Sequence, residues 1–178
     1  MDLYTVLAER RSIRKYLTDP VAPEKVQKIL EAARLAPSWK NQQCWRFIVV
    51  RDQEKRERLS AALFADNPCV RAIKTAPVTI VLCADPKGAG DLDGKDYYML
   101  DAGLAMQQLM LAAHAEGLGT CWVGAFFEAK AREVLQVPPA YRIVALTPLG
   151  VPAVQPPPRP RKELSEIVYA EEWGKPLF

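Results

Sequence analysis

The chain has 178 residues, 49% of them hydrophobic and 25% charged, which suits a single globular domain with its own core. A net charge of +3, from 24 basic and 21 acidic residues, is too mild for a nucleic-acid binder that works by charge alone. There is no basic n-region at Met1-Asp2-Leu3-Tyr4, and Gln107, Gln108 and His114 break the longest apolar segments, so the expectation is a cytoplasmic protein without signal peptide or membrane span.

Residues 2–9 read as a short amphipathic helix with Asp2 as N-cap and Leu3, Val6 and Leu7 on one face. Arg10-Arg11-Ser12-Ile13-Arg14-Lys15-Tyr16 breaks that pattern. Extended backbone puts Arg10, Ser12 and Arg14 on one side, where two planar guanidiniums and a short hydroxyl suit a phosphate. The plainer reading is a solvated basic turn or the edge of a nucleic-acid surface.

Pro23 opens the next helix, whose apolar positions Val26, Ile29, Leu30, Ala33 and Ala36 repeat up to Pro37. A polar loop follows, Ser38-Trp39-Lys40-Asn41-Gln42-Gln43-Cys44, and then a buried strand over 47–50. Helix, polar loop and strand in that order set hydrogen-bonding side chains at the mouth of a sheet, though a plain connector has the same composition. Asp52 caps a charged, mostly solvated helix over 53–63, 70–75 is a helical turn, and 76–84 is a second strand.

Residues 85–94 have three glycines and no helix-opening pattern, which predicts a mobile loop without a dinucleotide fingerprint. The helix over 97–116 is apolar nearly all round, a hint of a subunit interface. A strand over 120–126 runs into a tight turn at Gly124-Ala125. Their small side chains let a flat ligand approach the backbone, or simply allow the turn into the helix at 128–135. The last strand spans 142–149. From Gly150, five prolines (Pro152, Pro156, Pro157, Pro158 and Pro160) impose an extended arm carrying Arg159, Arg161 and Lys162, with apolar anchors at its end.

Cys44, Cys69, Cys83 and Cys121 are scattered without a C-x-x-C pair, which argues against a zinc site or a disulfide framework; Cys83 and Cys121 read as core packers. The single histidine, His114, reads as structural. No nucleophile, acid–base pair or metal cluster stands out, so the chemistry points to a borrowed cofactor.

The order of these motifs resembles the FMN-dependent nitroreductase family. Its members carry an R-x-S-x-[RK] element near the N-terminus and a P-S-x-x-N-x-Q-P-W loop further on. Here they are Arg10-Arg11-Ser12-Ile13-Arg14 and Pro37-Ser38-Trp39-Lys40-Asn41-Gln42-Gln43-Cys44-Trp45, with Cys44 in place of the family's proline. The resemblance covers essentially the whole chain.

It implies one domain over 1–178 of α+β class: a three-layer fold with a mainly antiparallel sheet flanked by helices, and a C-terminal arm over 150–178 exchanged in a homodimer. It implies FMN at the subunit interface and NADH or NADPH as electron donor, with a small electron-poor acceptor such as a nitroaromatic or quinone and ping-pong kinetics. By resemblance, Arg10, Arg11 and Ser12 hold the phosphate, aided by Arg159 and Arg161, and Arg14 reaches the pyrimidine edge of the ring. Pro37, Ser38 and Asn41 serve from the partner subunit, Gln43 joins the cofactor-binding set, and Val123, Gly124 and Ala125 pass the flavin N5. Two alternatives stay open: a reductive-dehalogenase or flavin-modifying branch, for which only 85–96 offers a short lid, and a nucleic-acid-binding module using the two basic runs.

Overall fold

A computed structural model describes residues 1–178. Asp2 caps the first helix, α1 (Leu3–Glu9), by accepting from the Tyr4 and Thr5 amides. Of the three apolar residues expected on its inner face only Val6 is buried; Leu3 and Leu7 face outward. Helix α2 (Pro23–Arg34) starts on its proline and buries Val26, Ile29 and Ala33. A 3-10 turn at Trp39–Asn41 leads into β1 (Trp45–Val50), which begins earlier than the sequence suggests because Trp45 already pairs with Ala84.

Asp52 accepts the Lys55 amide and caps α3 (Gln53–Ser60). This helix is less solvated than its charge suggests. Arg56 is buried and donates to the Lys74 and Ala76 carbonyls, which ties α3 to the end of α4 (Val70–Thr75). Every residue of β2 (Val78–Ala84) is buried.

Residues 85–94 are not an irregular loop. Asp85 caps a short helix, α5 (Pro86–Ala89), with proline at its first position, a start signal that the glycines obscured. Two-residue strands β3 (Asp91–Leu92) and β4 (Lys95–Asp96) then form a hairpin, and Asp93 and Gly94 both take positive φ, as a tight Asp-Gly hairpin turn demands. The long helix α6 (Tyr97–Ala115) comes next.

The strand expected over 120–126 is broken. β5 (Gly119–Thr120) pairs with only two residues of the last strand. At Cys121 the side-chain hydroxyl of Thr147, not a ladder carbonyl, accepts the amide, and the backbone rejoins the sheet only at Val123, which exchanges two 2.9 Å bonds with Leu146. Helix α7 (Glu128–Leu135), strand β6 (Arg142–Gly150) and a four-residue helix, α8 (Leu164–Ile167), complete the chain.

The fold is α+β. Its sheet runs β1-β2-β6-β5 with every pair antiparallel, and a bulge interrupts β2–β6 at Leu82/Cys83. Successive side chains of a strand point to opposite faces. Val78, Ile80, Leu82 and Ala84 therefore pack on α2 and α6, against residues such as Ile29, Met106 and Leu109. Val81 and Cys83 pack the other way, against Leu59 and Ile73 of α3 and α4. Because helices cover both faces, β2 reads as a run that is apolar except for Thr79 rather than an alternating one. No helix is long and apolar enough to cross a membrane.

Candidate functional site

The segment after α1 is held from both sides. The Ile13 amide donates to the Thr120 carbonyl at 2.9 Å, and Ser12 bridges to Thr120, adding a short parallel edge to β5. The Leu17 amide donates to the Val151 carbonyl at 2.9 Å, the Ala153 amide to the Lys15 carbonyl at 3.0 Å, and the Tyr16 hydroxyl closes on the Ile13 carbonyl. Gly119 makes the close approach possible: a Cβ there would sit 2.6 Å from Ile13 Cγ1.

These bonds set the root of the proline-rich arm beside Arg10–Arg14, and the arm folds back over it. The result is a cavity of about 140 Å³ walled by Ser12, Pro156, Pro157 and five arginines: Arg10, Arg11, Arg14, Arg159 and Arg161. The sequence pairs these two runs only through the family resemblance; in the fold they are neighbours.

None of the five guanidiniums forms an ion pair with a carboxylate. Arg11 donates to the Ala8 and Arg10 carbonyls, Arg14 to Ser12, and Arg161 to Arg159 and Pro160, all weak neutral acceptors. Burial lowers the Arg10 pKa, and the nearby positive charges of Arg11 and Arg161 lower it further. Like charges gathered without a counter-charge repel one another, so the site is built to receive an anion, and planar forks with a hydroxyl match phosphate oxygens.

His114 lines an adjoining cavity of about 220 Å³ with Glu9, Arg10 and Arg11. Its Nε2 is enclosed without a hydrogen-bond partner, and burial lowers its pKa, so the ring stays neutral at pH 7.

The loop from Pro37 to Gln43 is a second group. Lys40, Asn41 and Gln43 all take positive φ, a conformation that costs non-glycine residues roughly 1 kcal/mol or more each. Several contacts hold it there. Ser38 Oγ accepts the Gln43 amide at 3.0 Å, Gln43 Nε2 donates to Asn41 Oδ1 at 3.1 Å, and Trp39 stacks on Tyr97 with ring centroids 4.0 Å apart. Part of the hydrogen-bonding capacity read as available to a ligand is thus spent inside the loop.

The residue that sequence reasoning missed is Asp101. It is buried in α6, accepts the Trp39 amide at 2.9 Å and receives the Cys44 thiol at 3.6 Å. The available signal was a lone carboxylate on the buried face of an otherwise apolar helix. Burial first, and then Asp101, push the Cys44 thiol up to about 12.

Val123, Gly124 and Ala125 form a third group. Val123 is buried, and the Ala125 carbonyl accepts from Asn67 Nδ2 at 3.0 Å. Gly124 lines a separate open cavity of about 410 Å³ with Tyr98, Met99 and Arg142. The Trp122 indole already closes on Gly124, where a Cβ would lie 2.9 Å from Nε1. No hydrogen bond or ion pair joins the arginine cavity, the 37–43 loop and the 123–125 turn within one chain.

The comparisons with known proteins agree with this fold. The Nitroreductase family model matches residues 7–151. The chain belongs to the nitroreductase family. A crystal structure of a nitroreductase family protein from Clostridium novyi NT superposes with a TM-score of 0.84 at 38% identity, covering 99% of this chain and 98% of that one. The FMN-dependent nitroreductase of Clostridium difficile R20291 gives a TM-score of 0.84 at 32% identity, with 96% and 100% covered. The protein named FMN reductase [NAD(P)H] in Bacillus subtilis (strain 168) is 31% identical over 184 residues, 94% of this chain and 72% of that protein. Like these relatives, this nitroreductase-family chain is an oxidoreductase. The family match spans the Arg10–Arg14 segment, the Pro37–Gln43 loop and the 123–125 turn, while Arg159 and Arg161 lie beyond it.

Proposed function

We propose that this chain is an FMN-dependent oxidoreductase that draws on NADH or NADPH and reduces electron-poor acceptors such as nitroaromatics and quinones. The observation that carries the reading is the cavity of five guanidiniums without a carboxylate, whose donor set fits a phosphate dianion. The chemistry supplied by bound FMN is acceptance of hydride from the nicotinamide at N5 and release of electrons to the acceptor.

The chain's own residues bind and orient. Arg10, Arg11, Ser12, Arg159 and Arg161 hold the phosphate, and Arg14 sets positive charge at the pyrimidine edge, which favours the reduced, anionic ring. Val123, Gly124 and Ala125 border the ring. Pro37, Ser38, Asn41 and Gln43 act from a second copy, whose loop completes the site. Donor and acceptor use one opening in turn, which gives ping-pong kinetics.

Exposed apolar side chains support a homodimer in which all 178 residues form one domain. Leu3, Tyr4 and Leu7 of α1 and Met99, Leu100 and Leu104 of α6 are uncovered, as are Trp173 (91% exposed) and Phe178 on the arm. Apolar surface spread over two helices and an extended arm calls for a cover, and arm exchange between two copies provides it.

The test is an absorption spectrum of the purified protein, followed by anaerobic NADH and NADPH. A flavin band that bleaches with either nucleotide upholds the reading. A colourless protein that also ignores added FMN sinks it.

A further inference from the structure

All four cysteines are free and buried, and two of them meet. The sulfurs of Cys69 and Cys121 lie 3.4 Å apart, with Cys69 Sγ donating to Cys121 Sγ. They come from separate elements. Cys69 precedes α4, with its amide on Asn67 Oδ1 at 2.9 Å, while Cys121 follows β5, with its amide on Thr147 Oγ1 at 3.1 Å. Ile13 and Tyr16, directly behind the arginine cavity, belong to the same apolar cluster. Cys121 also follows Thr120 directly, whose backbone bridges Ser12 of the cavity wall.

The two thiols are unlike. The hydrogen bond from Cys69 lowers the Cys121 pKa against the opposing effect of burial, and Arg14, Ser12 and Arg10 lower it further. The same hydrogen bond and burial raise Cys69. Cys121 is therefore the more acidic thiol of the two and Cys69 the less acidic, which assigns Cys121 as the attacking and Cys69 as the resolving cysteine.

We infer that Cys69 and Cys121 form a redox-active dithiol beneath the arginine cavity, closed to a disulfide by a hydroperoxide, and that closure weakens the cavity's hold on a phosphate-bearing cofactor. Burial favours a small oxidant such as hydrogen peroxide over a bulky disulfide. The Cys121 sulfur attacks one peroxide oxygen: an S–O bond forms, the O–O bond breaks, and water (from an organic hydroperoxide, an alcohol) leaves with the thiol proton. The Cys69 sulfur then displaces hydroxyl from the resulting sulfenic acid, so that the S–S bond forms, the S–O bond breaks and water leaves with the Cys69 proton. Two electrons pass from the thiols to the peroxide.

Closure draws the sulfurs from 3.4 Å to about 2.05 Å. Cys121 directly follows Thr120, which holds the Ile13 amide and bridges Ser12, so the movement is transmitted to the cavity wall. This half of the inference rests on the assignment of that cavity to the FMN phosphate.

The test treats the reduced full-length protein with hydrogen peroxide, counts thiols after denaturation, maps linked peptides by mass spectrometry, and titrates FMN before oxidation, after it and after re-reduction. The expected result is loss of two of the four thiols, a Cys69–Cys121 link with Cys44 and Cys83 free, and FMN affinity weakened about tenfold and restored by reductant. Cys69→Ala and Cys121→Ala should each keep their FMN affinity through peroxide treatment. Four remaining thiols, a link to another cysteine, or unchanged FMN affinity in the linked protein overturns the inference; the wild-type measurements decide it even where a variant fails to fold. If reduced protein takes up no FMN, the proposed function fails, while the thiol count and mapped bond still uphold or overturn the dithiol.

Discussion

The Asp101 carboxylate accepts the backbone N–H of Trp39 at 2.9 Å and so fastens the strained 37–43 loop to the longest helix. Its other oxygen receives the Cys44 thiol, so Cys44 donates to the same anchor. Asp101→Ala leaves the Trp39 amide and the Cys44 thiol without their acceptor, a loss of about 1–3 kcal/mol. The expected outcome is a lower Tm and weaker FMN binding, read by thermal melting and flavin titration. Asp101→Asn keeps an acceptor oxygen and should recover much of both; equal losses in the two variants would mean that the hydrogen bond is not what holds the loop.

Charge in the cavity is open to direct measurement. A charge-assisted hydrogen bond contributes about 1.5–3 kcal/mol, so Arg10→Ala or Arg161→Ala should weaken FMN binding by roughly ten- to a hundredfold. Arg14→Ala should weaken binding or slow reduction by NADH or NADPH in stopped flow if, as proposed, it sets positive charge at the pyrimidine edge. Unchanged affinity and rate in Arg14→Ala would refute that role.

Gly119→Ala tests the close approach behind the cavity. The new Cβ would meet Ile13 Cγ1 at 2.6 Å and Cβ at 2.8 Å, and neither is the free end of a flexible chain. Overpacking of this kind costs about 1–3 kcal/mol. The variant should melt at lower temperature and bind FMN less tightly, since the clash displaces the backbone that carries Ser12. A melt matching the parent would show that the segment yields freely.

Glu128 gives a pH signature unrelated to the flavin. It accepts from Arg132 at 2.7 Å, from Arg142 and from the Ile143 amide, and so fixes α7 to the start of β6. Burial raises its pKa, but the Arg142 hydrogen bond, the Ile143 amide and the charges of Arg142 and Arg132 more than offset this, leaving it below the ordinary 4.5. A depressed folded pKa stabilises fully above 4.5 and loses that contribution as pH falls through the folded value. Glu128→Gln should therefore cost about 1 kcal/mol near pH 7, and the gap in Tm between the two proteins should narrow as pH drops below 4.5. A gap independent of pH would contradict the charge account.

Much of the local structure is legible in the residues. Asp2 and Asp52 cap the helices they precede, Pro23 starts α2, the apolar spacing of α2 places it closely, and α4 and α7 lie where the sequence predicts a helical turn and a helix. Two local readings failed for nameable reasons. Three glycines drew attention from Asp85-Pro86 and Asp93-Gly94, which are a helix start and a hairpin turn. The broken strand after Thr120 follows from the Thr147 hydroxyl on a neighbouring strand, which a linear pattern does not contain.

By itself, then, the sequence determined the longer helices, the principal strands along the chain and the two basic runs, because caps, turns and apolar periodicity act over a few residues. Only the tertiary structure decided that Arg159 and Arg161 wall the same cavity as Arg10 and Arg14, that Asp101 holds Trp39, and that Cys69 touches Cys121. Those pairings are made by backbone bonds between the 13–17 segment and the root of the arm and by elements that close around one antiparallel sheet, which brings together residues far apart along the chain.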